Sequence, residues 1–188
     1  MQVGISIIKE EHRAIAAVIH GLNFFLQEIM QGKLQPDFTL FRAIFQYMQE
    51  FLHQLHHPKE EQYLFMAVSK RTHDADAIIA QLKHDHELER MGLKTIEAAL
   101  DKYEKYGAST FDEFHHIVTV YTERAFKHIH LEEDQLLPIA QRVLTAEDWK
   151  EINNAFHSNK DPLIDPETQH HFREMFSKII NMAPSMLG

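Results

Sequence analysis

Apolar residues in this chain recur at alternating steps of three and four, and histidines and glutamates stand where that rhythm breaks. In a first stretch, Ile5, Ile8, Ile15, Ile19, Leu22, Leu26 and Ile29 leave one gap, filled by His12. A second carries Phe38, Phe41, Phe45, Met48 and Leu52, and His56 continues its face. A third runs Ile79, Leu82, Leu93, Ile96 and Leu100, with His86 and Glu89 at the missing steps. A fourth runs Phe111, Phe114, Val118, Tyr121 and Ala125 and passes on to His128 and Glu132. The period is helical, and four amphipathic helices with short connections predict an all-α, up-down-up-down four-helix bundle. Ionisable groups on the inward seam must pair with one another or bind a cation, because an unpaired buried charge is costly.

Breakers set the boundaries. Gly32 fits a cap after the first helix, and Pro36-Asp37 opens the second. Pro58 should end or kink that helix near His57. The third opens around Asp74–Asp76 and ends near Tyr106-Gly107, and Ser109 or Thr110 caps the fourth, which reaches about Arg142. The bundle is assigned to residues 1–144, and residues 145–188 to two short helices packed on it. Thr145-Ala-Glu-Asp148 reads as a cap leading a helix to about Phe156. A last helix is expected over roughly Glu167 to Met182, with Phe172, Met175, Phe176, Ile179 and Ile180 covering the bundle or forming a subunit contact.

Composition narrows the chemistry. The chain has no cysteine, which excludes disulfide scaffolds, thiol nucleophiles and iron–sulfur ligation. A net charge of −9 with no basic block speaks against nucleic acid and against an anionic membrane surface. No apolar run is long enough to span a bilayer. The opening MQVGISIIKEEHRAI lacks the basic and apolar regions of a signal peptide, so a cytoplasmic protein is expected. Fifteen histidines, dispersed along the chain, point to protons or metal.

Two segments echo each other. His56-His-Pro-Lys-Glu60-Glu-Gln-Tyr-Leu64-Phe65 and His128-Ile-His-Leu-Glu132-Glu-Asp-Gln-Leu136-Leu137 both read H-x-x-x-E-E-x-x-L-[FL]. On a helix, residues four apart share a face, so each His–Glu pair can aim at one cluster. His57 follows His53 instead and points more sideways. Two such pairs follow the logic of carboxylate-bridged di-metal bundles. Imidazole and carboxylate without thiolate suit iron or manganese, and zinc less specifically.

Glu11-His12-Arg13-x-Ile15, His56-His-Pro-Lys-Glu60-Glu, Asp85-His86 and His128-x-x-x-Glu132-Glu-x-x-Leu-Leu-Pro138, in that order, resemble the hemerythrin-like (HHE cation-binding) family of bacterial type. The resemblance covers about residues 5–142 and extends through Leu144–Trp149. It implies a bundle holding two iron ions per chain, with His12, His56, Glu60, His86, His128 and Glu132 as ligands and both glutamates bridging. One position departs from the pattern. Oxygen-carrying hemerythrins have a further histidine one turn after the one matching His86, and Arg90 stands there. Glu89, first because it lies on the seam, then His84, His57 and Glu61 are the candidates to replace it.

The resemblance implies a non-haem di-iron protein binding O2 or NO for sensing, sequestration or storage. The alternatives it leaves are an iron-handling protein of the kind that repairs iron–sulfur centres, and a di-iron oxidase or peroxidase. Tyr121, His53 and His130 are candidates to support a ligand. His20, His73, His115, His116, His157, His170 and His171 read as ordinary surface residues, and Arg124 and Lys127 as a solvated face.

Overall fold

The computed structural model describes residues 3–157. They form four long helical rods and one shorter helix: α1 (Val3–Met30), α2 (residues 38–71), α3 (Asp76–Tyr106), α4 (residues 111–143) and α5 (Ala146–His157). The architecture is the expected all-α bundle, and no strand occurs among the described residues. Nor is any helix among them long and apolar enough to cross a membrane. The expected helix from Glu167, with His170 and His171, lies outside the described residues.

Local chemistry explains the ends. Gly32, at φ 71°, turns the chain out of α1, and Lys33 N donates back to Glu28 O at 2.9 Å. Asp37 caps α2 by accepting from Leu40 N at 2.9 Å, and Gly107, at φ 67°, ends α3. Thr110 differs from expectation: its hydroxyl donates to Gly107 O at 3.1 Å, so it ties off the preceding turn and caps nothing in α4. Thr145 and Asp148 form a reciprocal box at the start of α5: Thr145 N donates to Asp148 Oδ2 at 2.8 Å, and Asp148 N to Thr145 Oγ1 at 3.3 Å. α5 lies against α1, with Trp149, Ile152 and Phe156 buried and Gly4 N donating to Asn153 Oδ1 at 2.6 Å.

Pro58 does not end α2. The helix runs through it, widened to π-helical turns over Met48–His56 and again over Glu60–Phe65. A third π-helical stretch, Glu132–Leu136, interrupts α4. Turns of this kind are rare and concentrate where a helix is bent to a task; here each contains a residue of the echoed motif, His56 in the first, Glu60 in the second and Glu132 in the third.

The apolar core falls into two clusters. One is built around Phe25, Phe41, Phe45, Phe51 and Phe114, the other around Ile8, Phe65, Leu82, Leu136 and Phe156. Each such side chain, fully buried, contributes about 1.5–3 kcal/mol. Between the two clusters lies a layer of buried histidines and glutamates. Apolar replacements of similar volume would leave a bundle equally or more stable, so stability is no reason for that layer.

Candidate metal centre

Each rod contributes to the layer. His12 comes from α1, His56 and Glu60 from α2, His86 from α3, and His128 and Glu132 from α4. All six are buried, at no more than 4% exposure. Glu60 is central. Its Oε1 lies 2.8 Å from His56 Nε2 and 3.5 Å from His12 Nε2, while its Oε2 lies 3.3 Å from His86 Nε2. Glu132 sits between His12 and His128, its Oε2 at 3.4 Å from His12 Nε2 and 3.9 Å from His128 Nε2.

The donor atoms resolve into two groups that share Glu60. One is His12, His56 and Glu60; the other is His57, Glu60, His86 and His128, with one atom from each residue within 4.8 Å of every other in its group. Many of the converging atoms have no hydrogen-bond partner: His12 Nε2, His86 Nε2, both nitrogens of His128 and all four oxygens of Glu60 and Glu132. Buried polar atoms in such numbers without partners are the mark of a site built for something they bind.

The outward nitrogens are held. His56 Nδ1 faces Glu11 Oε2 at 2.8 Å, His12 Nδ1 faces Glu133 Oε1 at 2.9 Å, and His86 Nδ1 faces Glu61 Oε1 at 2.7 Å. A carboxylate on one ring nitrogen fixes the tautomer and leaves the other as a lone-pair donor towards the cluster. Sequence reasoning missed Glu11 and Glu133 and read Glu61 only as a substitute ligand. The signal was the Glu-Glu doublet: its first member turns inward, its second reaches to a histidine on another helix.

Over residues 3–140 the chain matches the model of the Hemerythrin HHE cation binding domain. The chain belongs to the hemerythrin family. Neither a curated protein nor a solved structure matches it.

In this hemerythrin bundle the electrostatics follow from pairing against burial. Burial would lower His12, but the carboxylates of Glu132, Glu133 and Glu60 around its ring outweigh it and hold its pKa well above the usual value. Burial is likewise overcome at His56, raised to about 10 by Glu60 and Glu11, and at His86, raised to about 9 by Glu60 and Glu61. His128 has no such partner, and burial, with the charge of His86, drops it to about 3. Glu60 is held well below the carboxylate range: burial opposes ionisation, and the histidines at 56, 12 and 86 prevail. Burial raises Glu132 to about 7 and Glu89 to about 8.

The candidates for the missing histidine separate cleanly. Arg90 points outward and pairs with Glu87, and His84 is exposed. Glu61 supports His86. Glu89 is buried, with its Oε2 at 3.9 Å from His57 Nε2. His57 is also buried, against the sideways expectation, with its ring 3.8 Å from that of His86 and tilted by 12°. The wider turns around Pro58 bring His56 and His57 towards the same side. His53 is buried and contacts Tyr121, whereas His130 is exposed and lines an open groove between α3 and α4 with Arg124 and Lys127.

Two openings adjoin the layer. A cavity of about 10 Å³ is bounded by His12, His56, His57, Glu89 and His128 and by Ile15, Leu52, Ala125 and Ile129. A larger, polar pocket of about 150 Å³ is lined by His53, His57, Pro58, Glu61, Gln62, His86 and Arg90.

Proposed function

We propose that the chain holds two iron ions in this layer, with His12, His56, Glu60, His86, His128 and Glu132 as ligands, and uses them to bind O2 or a similar diatomic such as NO for sensing, sequestration or storage. The reading rests on Glu60, whose two oxygens each face histidines of a different donor group. The donor set fits: neutral imidazoles and carboxylates without thiolate suit iron or manganese. Reduced iron would supply electrons to a bound diatomic. The protein's part is positional: Glu11, Glu61 and Glu133 orient three imidazoles, and Ile15, Leu52, Ala125 and Ile129 keep bulk water from the small cavity. That cavity is close to the least volume that holds a single water molecule.

A second reading, a di-iron oxidase or peroxidase, draws on the polar pocket beside His57 and His86, which offers a polar approach to the layer. Anaerobic loading with Fe(II), desalting and elemental analysis test the first reading. About two irons per chain, followed by a new charge-transfer absorption on exposure to O2, support it. Folded protein with no bound iron refutes it. Turnover of peroxide or Fe(II) beyond two equivalents would favour the second.

A further inference from the structure

His57 contributes an atom to the second donor group although nothing in its helical phase marks it as a core residue. Its ring stacks on His86 and lies 5.3 Å from that of His128, so it faces the same space as both. It is also supported from behind. His57 Nδ1 lies 3.4 Å from His53 Nδ1, and His53 Nε2 lies 3.2 Å from Tyr121 Oη. One assignment of protons completes this chain with His57 Nε2 left as a lone-pair donor. His57 donates Nδ1–H to His53 Nδ1, and His53 donates Nε2–H to the Tyr121 oxygen. Both imidazoles are then neutral, each with one N–H and one lone pair.

The Tyr121 ring is seated by Gly92 on α3: a Cβ there would stand 3.1 Å from Tyr121 Cδ2. A mid-helix glycine costs about 1 kcal/mol relative to alanine, and here it makes room for the residue that ends the chain of hydrogen bonds.

We propose that His57 supplies the nitrogen that Arg90 does not, as a fifth imidazole ligand, and that His53 and Tyr121 are its positioning residues. The inference rests on the two-ion reading above. It places three histidines with Glu60 around one ion, and His12 and His56 with Glu60 around the other.

The test is an anaerobic titration of metal-free, full-length protein with Co(II), following visible absorption and bound metal after desalting. Wild type takes about two Co(II) per chain. His57→Ala keeps about one, binds the second at least about tenfold more weakly, and regains it when imidazole is added. Tyr121→Phe keeps two, with the second weakened by about tenfold or more and a shifted cobalt spectrum. If His57→Ala does not fold by circular dichroism, His57→Gln, which preserves most of the stacked volume, takes its place with the same expected loss. Two ions of unchanged affinity in the His57 variant, or a loss that imidazole does not restore, overturn the inference. A wild-type protein that binds no Co(II) instead overturns the two-ion reading itself.

Discussion

Glu133 accepts from His12 Nδ1 at 2.9 Å, while its neighbour Glu132 faces the other nitrogen of the same ring at 3.4 Å. The pair from α4 thus brackets a histidine 121 residues earlier in the chain. Glu60 and Glu61 treat His86 in the same way, at 3.3 Å and 2.7 Å. The doublet is a device: one carboxylate faces the layer, the next fixes the imidazole opposite it.

Removing the outer member should therefore loosen the metal without removing it. Glu133→Gln and Glu61→Gln are each expected to keep the ion count while weakening affinity by about 10–100-fold. Competition with a chelator of known affinity reads this directly, and unchanged affinity in both variants would show that the outer carboxylates are surface decoration.

Removing the inner members should be drastic. The double variant Glu60→Ala, Glu132→Ala is expected to lose nearly all bound iron by elemental analysis. Glu60→Ala alone leaves His12, His56 and His86 without their shared anion, and metal-free protein should lose about 3–5 kcal/mol in urea unfolding. Metal content like that of wild type would refute the proposed ligand set.

Protons and metal should compete. His56 is raised to about 10 and His86 to about 9 from a usual value of 6.5. A raised value means the folded state holds the proton more tightly than the unfolded chain. The stabilisation is then complete below 6.5 and is lost as pH rises through about 9 and 10. Metal-free protein is expected to melt at progressively lower temperature across that interval. Metal must displace the same protons, so its apparent affinity should climb with pH and loading at pH 7 should release acid. A flat melting temperature between pH 6.5 and 10 would contradict this pairing.

Gly92→Ala should fail to give the gain that helix propensity alone predicts. The new methyl meets the buried ring of Tyr121 at 3.1 Å, and that ring is held by its contact with His53. The expected result is a loss of about 1 kcal/mol in place of a similar gain, read from urea unfolding.

Much of this is legible in the sequence because a bundle seam has little tolerance. An ionisable residue at an apolar step must find a partner or a cation, which is how His12, His86 and Glu132 stand out. Gly32, Asp37 and Gly107 mark ends for equally local reasons. His57 does not stand out, since ordinary helical phase sets it about a quarter turn from His56 and only the widened turns around Pro58 bring it inward. Glu61 and Glu133 hide for another reason: with side chains 39% and 26% exposed, they pattern as surface. Thr110 misleads because a hydroxyl at a helix start can donate backwards as easily as accept forwards.

The polar pocket touches His57 and His86, members of one donor group, and neither His12 nor His56 of the other. For a pair of ions held as proposed, the two berths would then differ in traffic. The ion beside the pocket would be the last to arrive and the first to leave, and a chelator would draw the metal in two phases, with Glu60 as the hinge between a slow reservoir and a fast port.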